Sequence, residues 1–549
     1  MLKKLLALTL AGAMALSLVA CGTPAAGGNE GGETGEAKTT FTYSTSTEAP
    51  TLDPQLANSV ASNIILLHSQ EPLVRMTAGQ IEPGIAETWD ISEDGLVYTF
   101  HLRDAVWSDG QPVTAGDFEY GIKRMIDPAT ASPYGWFGCY ILNGDECNTG
   151  KAPMDELGVK ALDDKTLEIT LKERAEFFLQ VLSNGCYVAT RADMVEKYGQ
   201  DFAATAEKNV YNGPFVIKEV KTGDRIVMAK NENFWDADRV KLTEVNVLTV
   251  TNVNTAVDMY NAGELDYVEV PSDLKDLYAD QINTYYDGSN DFLRVKQNDP
   301  NVPTHNKDLR LAINYAINRA EFITLTSNDV YEANPRYVLP QVAGVNKSYG
   351  EEYPYEAFPV NGDSAKAQEH LAKALEALGC EAKDITLELL TSDSEGAKKQ
   401  AEVLQQQIQK ELGINITIRQ VPYKDRLKME SERKFELVFT GWAPDYSDPY
   451  TYLELQIASA FYNYGGYNLE ADGTVIENDY DKYMEISRTT SGKERMDALF
   501  NAEKTMLEDG AIVPLLLRRV LYMKNEKLEG LELYFLGARM DYTRAYWAE

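Results

Sequence analysis

Chemistry is most concentrated where the apolar, β-type run Phe435-Glu-Leu-Val-Phe-Thr-Gly441 reads out into Trp442-Ala-Pro-Asp-Tyr-Ser-Asp-Pro-Tyr450. That stretch sets two carboxylates, Asp445 and Asp448, among aromatic rings and prolines. In open α/β sheets ligands collect just outside the carboxyl ends of strands, so this loop is the first candidate site. Tyrosine is abundant, with 32 residues, and clusters at Tyr446, Tyr450, Tyr452 and at Tyr462, Tyr464, Tyr467. Rigid rings with a polar edge suit a cleft that grips varied ligands, although any single ring serves equally well as core.

Enzymatic vocabulary is thin by comparison. The four histidines, His68, His101, His305 and His370, each stand in a plain helical or strand context, where the side chain is more often structural than catalytic. There is no Gly-x-Ser-x-Gly elbow, no His-Glu-x-x-His, no phosphate loop and no dinucleotide fingerprint. Paired carboxylates leave no signature of that kind, and 85 acidic residues keep an extracytoplasmic hydrolase open as the competing class. Cys139, Cys147, Cys186 and Cys380 show no zinc spacing; a 139–147 bridge is conceivable, and free thiols are the expected state. No cofactor or metal is expected. The net charge of −33 and pI near 4.6 argue against a nucleic-acid partner, which would need clustered Lys and Arg.

The elements that must position the loop form an α/β pattern. Ile385 to Thr391 reads as a strand, Glu395 to Leu412 as a helix with Val403, Leu404 and Ile408 on one face and Gly413 as its stop, and Ile414, Ile416, Ile418 as a second strand. This is a β-α-β unit with parallel strands. A helix near Tyr423 to Ser431 precedes the strand into the loop. A second strand-helix-strand is expected at Glu244–Val250, Thr255–Asn261 and Leu265–Val270, so two α/β lobes with a ligand clamped between them by a hinge are the natural architecture. Ahead of both in the chain, Leu96 to Arg103 alternates as a strand, and Thr114 with Asp117 opens a helix that runs through Phe118, Ile122, Met125 and Ile126 to Asp127-Pro128.

The amino-terminal segment has a different task. Lys3 and Lys4 precede an apolar run to Val19, the pattern of a secretory signal peptide over residues 1–20. Leu18-Val19-Ala20-Cys21 resembles the bacterial lipobox, which implies lipidation of Cys21 and anchorage to the outer face of the cell membrane. After Cys21, residues 22–37 are Gly, Ala, Thr, Pro and Glu with a single Asn and no large apolar side chain, so that 21–37 reads as a flexible tether. No later stretch reaches eighteen apolar residues.

Several ordered segments then resemble the oligopeptide- and dipeptide-binding proteins of bacterial ABC importers. They are Thr51-Leu-Asp-Pro-Gln, Pro83-Gly-Ile-Ala-Glu-Thr-Trp-Asp, the run from Tyr98 to Phe118, Asn212-Gly-Pro-Phe215, Asn231-Glu-Asn-Phe-Trp235, Gly263-Glu-Leu-Asp266, Leu309 to Arg319, and Gly441-Trp to Asp448-Pro449. The resemblance covers nearly the whole mature chain. It implies a periplasmic-binding-protein-like fold of type II (cluster C), two α/β lobes with a hinge plus an extra domain. The implied division is residues 38–70, 209–293 and 520–549 as domain I, 71–208 as the extra domain II, and 294–519 as domain III.

The same resemblance implies site residues and partners. Asp445 holds the position that pairs with a peptide α-ammonium. Gly441, Trp442 and Ala443, with Asn58, Ser59, Val60 and Ala61, hold positions whose main chain bonds the ligand, and Tyr134 matches a tyrosine that bonds the ligand backbone. Expected partners are a short peptide and membrane permease subunits whose ATPases are separate chains; a monomer is expected, and a nickel chelate, haem or an oligosaccharide stands as the alternative ligand. Two residues depart from the pattern. Phe439 replaces a basic residue that helps meet the peptide carboxylate, and Pro444 fixes the loop before Asp445 and removes an amide donor.

Overall fold

Helices fall where their ends are encoded in side chains. The computed structural model describes residues 38–549 apart from 78 and 461, so the signal peptide, Cys21 and the tether lie outside the described residues. The helix Glu395–Leu412 begins where the Ser394 side chain accepts from Ala397 N–H at 3.3 Å and ends at Gly413, whose φ of 67° is the left-handed stop. Val403, Leu404 and Ile408 lie on its buried face. The helix Ala115–Ile126 carries a reciprocal capping box: Asp117 N–H donates to the Thr114 hydroxyl and Thr114 N–H to the Asp117 carboxylate at 2.9 Å.

Ten strands follow one another across a single sheet, and Glu332–Ala333 adds an eleventh beside Ile512–Lys524. At one end Asn415–Val421 pairs in parallel with Thr386–Ser392, which pairs in parallel with Leu437–Trp442. The β-α-β unit expected from the sequence therefore forms, with Leu387 opposite Ile416 and Leu389 opposite Ile418. Its apolar faces pack with Leu309, Ile313 and Phe322 into a core of their own. At the other end Thr40–Thr45 pairs in parallel with Glu244–Thr249 on one side and Tyr267–Glu269 on the other. The second strand-helix-strand thus spans a gap of one strand, filled by Thr40–Thr45.

Two strands of 13 residues, Asn283–Val295 and Ile512–Lys524, join the halves. Asn283–Tyr286 pairs with Arg519–Tyr522, and Asn290–Arg294 with Ile512–Leu517, with register breaks between Tyr286 and Asn290 and between Asp291 and Phe292. Gly288, in the first break, has φ +85°; a Cβ there would stand 3.0 Å from Phe535 Cβ and 3.1 Å from Pro444 Cδ. An irregularity placed where two long strands cross between lobes lets the ladder bend without being torn. A separate antiparallel sheet, in the order 86–91, 97–102, 166–170, 159–163, is built from the intervening chain. No helix among the described residues is long and apolar enough to cross a membrane.

Candidate ligand-binding site

The strand Leu437–Trp442 is paired unequally on its two sides. Along Asn290–Val295 it is paired throughout, with Asp291 opposite Gly441 and Asn290 opposite Trp442. On the other side only Leu437 and Val438 meet a neighbour, at Leu389 and Leu390. From Phe439 onward that edge faces a cavity of about 720 Å³ whose walls include Gly441, Trp442, Ala443, Tyr331, Tyr423 and Arg426. An open edge inside a cleft is where an extended chain adds itself as a strand. Gly441 is required here because a Cβ would stand 2.3 Å from Asp291 Oδ1 and 2.8 Å from the Asn290 carbonyl.

Beyond the edge the loop is pinned at its far end. Asp448 accepts two bonds from the Arg495 guanidinium, at 2.7 and 3.0 Å, and both side chains are buried. Asp448 Oδ1 also accepts from Tyr450 N–H at 2.9 Å, an Asx-type turn. Thr451 Oγ1 holds the near end, accepting from Asp445 N–H at 3.3 Å and Trp442 Nε1 at 3.5 Å. Chain from the smaller sheet covers the outer face. Phe177 stacks on Tyr446 with centroids 4.0 Å apart, Gln180 bonds both main-chain groups of Ser447, and Tyr140 donates to the Tyr446 hydroxyl at 3.3 Å.

Asp445 differs from every other acidic group in this loop. Its carboxylate has no hydrogen-bond donor and no cation within ion-pairing distance among the described residues, and burial alone pushes it up to about 7. Around it Asn63, Asn184, Gly185, Tyr446 and Gly537 close a small cavity. Tyr134 is half-buried beside Phe137, with ring centroids 5.8 Å apart. Its hydroxyl is raised above its ordinary value chiefly by burial and next by the nearby Asp445 charge. Tyr462 packs edge-on to both Trp442, at 5.7 Å, and Trp136, at 6.0 Å, so one ring bridges the loop and the covering segment.

The segment after the Leu52-Asp53-Pro54 motif lines a different cavity. Arg124 grips both oxygens of Asp53 at 2.6 Å and so holds this motif in place. Ser59 caps the helix Val60–Ser69, accepting from Ser62 N–H at 3.1 Å, which leaves Asn58 and Val60 exposed. Val60 and Ala61 line a second cavity, of about 280 Å³, with Tyr267, Tyr285, Glu269 and Arg539.

Three groups escaped the sequence reading. Arg426 lines the cavity at Gly441 and donates to the Phe439 carbonyl at 3.3 Å while paired to Glu430 at 2.8 Å; a guanidinium therefore stands beside the position where Phe439 replaced a basic residue. Glu454 accepts from the Tyr446 hydroxyl at 2.7 Å and from the Tyr140 hydroxyl at 3.5 Å, and burial pushes its carboxyl up to about 8. Arg539 reaches the second cavity from the carboxyl-terminal segment. None carried a local motif.

The histidines are structurally employed. His68 lies buried between the Ile64 carbonyl and Asp541 and stacks on Tyr542, His101 meets Asp90, His370 meets Asp308, and His305 Nδ1 lies 2.9 Å from the Val302 carbonyl. The four cysteines of residues 38–549 are free thiols.

Comparison with known proteins places this geometry. Residues 80–463 match the family described as bacterial extracellular solute-binding proteins, family 5 (middle region). The chain belongs to that family. A family-5 relative, the dipeptide-binding protein DppE of Bacillus subtilis, is 30% identical over 558 residues, covering 100% of this chain and 99% of DppE. The oligopeptide-binding protein OppA of Bacillus subtilis is 30% identical over 543 residues, covering 95% and 97% of the two chains. Among solved structures, the substrate-binding domain of an oligopeptide ABC transporter from Bacillus anthracis superposes with a TM-score of 0.75 at 31% identity, covering 94% of this chain and 99% of that one. Listeria monocytogenes OppA bound to peptide gives a TM-score of 0.74 at 28% identity, covering 94% and 100%. The two-lobed family-5 fold expected from the sequence is the fold observed, and the family is one of solute-binding proteins, not of enzymes.

Proposed function

We propose that this family-5 protein captures short peptides outside the cell and delivers them to a membrane permease driven by separate ATPase chains. One observation carries the reading: a half-buried carboxylate without a counter-charge among the described residues, Asp445, stands beside an open strand edge inside a cleft. An extended peptide supplies what both lack. Its α-ammonium pairs with Asp445, and its main chain bonds Gly441, Trp442 and Ala443 on one side and Asn58 to Ala61 on the other, with Tyr134 alongside. Main-chain pairing is indifferent to side-chain identity, so broad selectivity follows. The names of the relatives, dipeptide- and oligopeptide-binding proteins, support the same ligand class.

The segments 38–70, 209–293 and 520–549 serve as the first lobe, 294–519 as the second and 71–208 as the cover, with the two 13-residue strands as the hinge. Lipidation of Cys21 holds the monomeric binder near its permease through the 21–37 tether, which raises its effective concentration there. Asp445 and Glu454 also supply the two carboxylates that a hydrolase would need, so turnover is checked alongside binding.

Calorimetry with a free peptide and its N-acetylated form tests the ligand assignment. Stranding a buried charge costs roughly 3–5 kcal/mol, so acetylation weakens wild type by at least about 100-fold and Asp445→Asn loses most of that discrimination. Equal affinity of wild type for the two forms overturns the ammonium role. Mass spectrometry of co-purified ligand that finds a sugar or metal chelate and no peptide overturns the ligand class.

A further inference from the structure

One short strip of the cover, Glu173 to Gln180, meets three separate parts of residues 294–519. It leaves the strand 166–170 through Leu171 and Lys172, whose N–H groups donate to the Leu96 carbonyl at 2.7 Å and the Tyr140 carbonyl at 2.9 Å. Arg488, on the helix Asp479–Thr489, donates through Nε to Glu173 Oε2 at 3.0 Å. Gly492 N–H, at the start of the helix Gly492–Glu508, donates to Glu176 Oε2 at 3.4 Å. The third part is the loop of Asp445. There the Phe177 ring lies 4.0 Å from Tyr446 and 5.6 Å from Tyr450, with the Arg495 guanidinium 5.7 Å from its centroid. Gln180 treats the loop as a neighbouring strand would, its Oε1 accepting from Ser447 N–H and its Nε2 donating to the Ser447 carbonyl.

These contacts bear on the site because they enclose it. Of the residues that line the cavity of Asp445, only Asp445 and Tyr446 belong to 294–519, while Gln180, Ser183, Asn184 and Gly185 come from the cover. Moving residues 294–519 away from the cover breaks the Phe177 stack, both Gln180 bonds and the Glu173–Arg488 pair together, and opens the Asp445 carboxylate to water. Burial opposes that movement, since Tyr446 is 1% and Phe177 4% exposed and both rings return to solvent. The ion pair has a different character. Each of its side chains is 36% exposed, so its attraction is modest and screened by salt.

Resting on the peptide reading above, we propose that Glu173 to Gln180 is a latch that keeps the Asp445 loop against the cover and so sets how long a ligand is held, not how fast it is captured. The contacts join groups of the chain itself and act on every ligand alike. A ligand leaves from the parted arrangement, so its release rate follows the population of that arrangement. Differences in affinity among variants of one binding site lie mostly in that rate. The Phe177 stack and the Gln180 bonds supply the larger part of the hold. Glu173 and Arg488 supply a smaller part, which weakens as ionic strength rises.

The test is stopped-flow displacement of an alanine tetrapeptide with a free amino terminus and a dansyl group at its carboxyl end. The proteins are wild type, Phe177→Ala, Glu173→Arg, Arg488→Glu and the double variant that carries both reversals. Release from Phe177→Ala is at least about tenfold faster than from wild type. Each single reversal speeds release about two- to fivefold, and the double variant returns to within about twofold of wild type. Association stays within about threefold throughout. Thermal melts establish that each variant is folded, and the reversals, on partly exposed side chains, keep the test decisive if Phe177→Ala is not. Release at the wild-type rate from all the single variants overturns the inference, as does a double variant no slower than either reversal or an effect confined to association. In each of those cases peptide binding, and with it the peptide reading, stands. Binding of no peptide sinks that reading, and small-angle scattering then decides the latch. A radius of gyration that grows in the single variants and returns in the double variant upholds it; one value for all the proteins overturns it.

Discussion

Asp445 and Asp448 lie three residues apart on one loop and have opposite surroundings. Asp448 is buried against Arg495 in a two-bond ion pair and turns the main chain at Tyr450. Asp445 is half-buried, with no cation and no donor to its carboxylate among the described residues, and loss of solvation raises its carboxyl to about 7. A fold that needs a carboxylate for its own sake supplies the partner from its own chain, because an unpaired buried charge is expensive. Where the partner is withheld, as at Asp445, the proposed ligand ammonium is the group that would supply it.

The sharpest way to break this comparison is to remove the paired acid. Asp448→Ala strands the Arg495 guanidinium, whose side chain is 4% exposed, and costs roughly 3–5 kcal/mol. Chemical denaturation followed by tryptophan fluorescence reads this as an earlier transition, while Asp445→Ala in the same assay produces no comparable loss. Similar losses for the two would mean that Asp445 is structural as well.

A smaller effect is expected at Gly441, where the strand backbone and the proposed binding edge coincide. Gly441→Ala places a methyl 2.3 Å from Asp291 Oδ1 and displaces either the Asp291–Arg518 pair or the strand itself, at a cost of about 1–3 kcal/mol. The open edge moves with the strand, so peptide affinity falls along with stability. A variant with full affinity and lowered stability would separate the edge from ligand binding.

Much of the frame was legible in the sequence because its determinants are local. Ser394 and Gly413 mark the ends of one helix, Thr114 and Asp117 open another, and the alternation of Ile414, Ile416 and Ile418 gives a strand beside its parallel partner. The loop after Gly441 was legible for the same reason, as a strand running out into carboxylates and rings. What escaped was assembled from distant chain. Arg539 lies 94 positions after Asp445, and no pattern near it announces that it lines a cavity with Val60 and Ala61. Glu454 became notable only once Tyr140, more than 300 residues earlier, was found donating to it. The order of strands at the other end of the sheet was hidden likewise, since Thr40–Thr45 inserts between elements from the middle of the chain.

The subtlest prediction concerns protons. Asp445 is raised from 3.8 to about 7 in the folded protein, so the native state holds a proton that the unfolded chain releases. Its stabilisation is fully present below about 3.8 and is lost as pH rises through about 7. The stability of unliganded wild type therefore declines over that window relative to Asp445→Asn, which has no carboxyl to ionise there. Glu454 is raised chiefly by its own burial in both proteins, with the Asp445 charge a smaller contributor, so most of its effect cancels in the difference. A peptide ammonium reverses the balance by pairing with the ionised form, so binding at pH 6 expels up to about one proton. Calorimetry in two buffers of different ionisation enthalpy measures that number directly. Proton uptake on binding, or the same release in Asp445→Asn, would mean that the ligand's charge is met elsewhere and that the contrast between Asp445 and Asp448 has another origin.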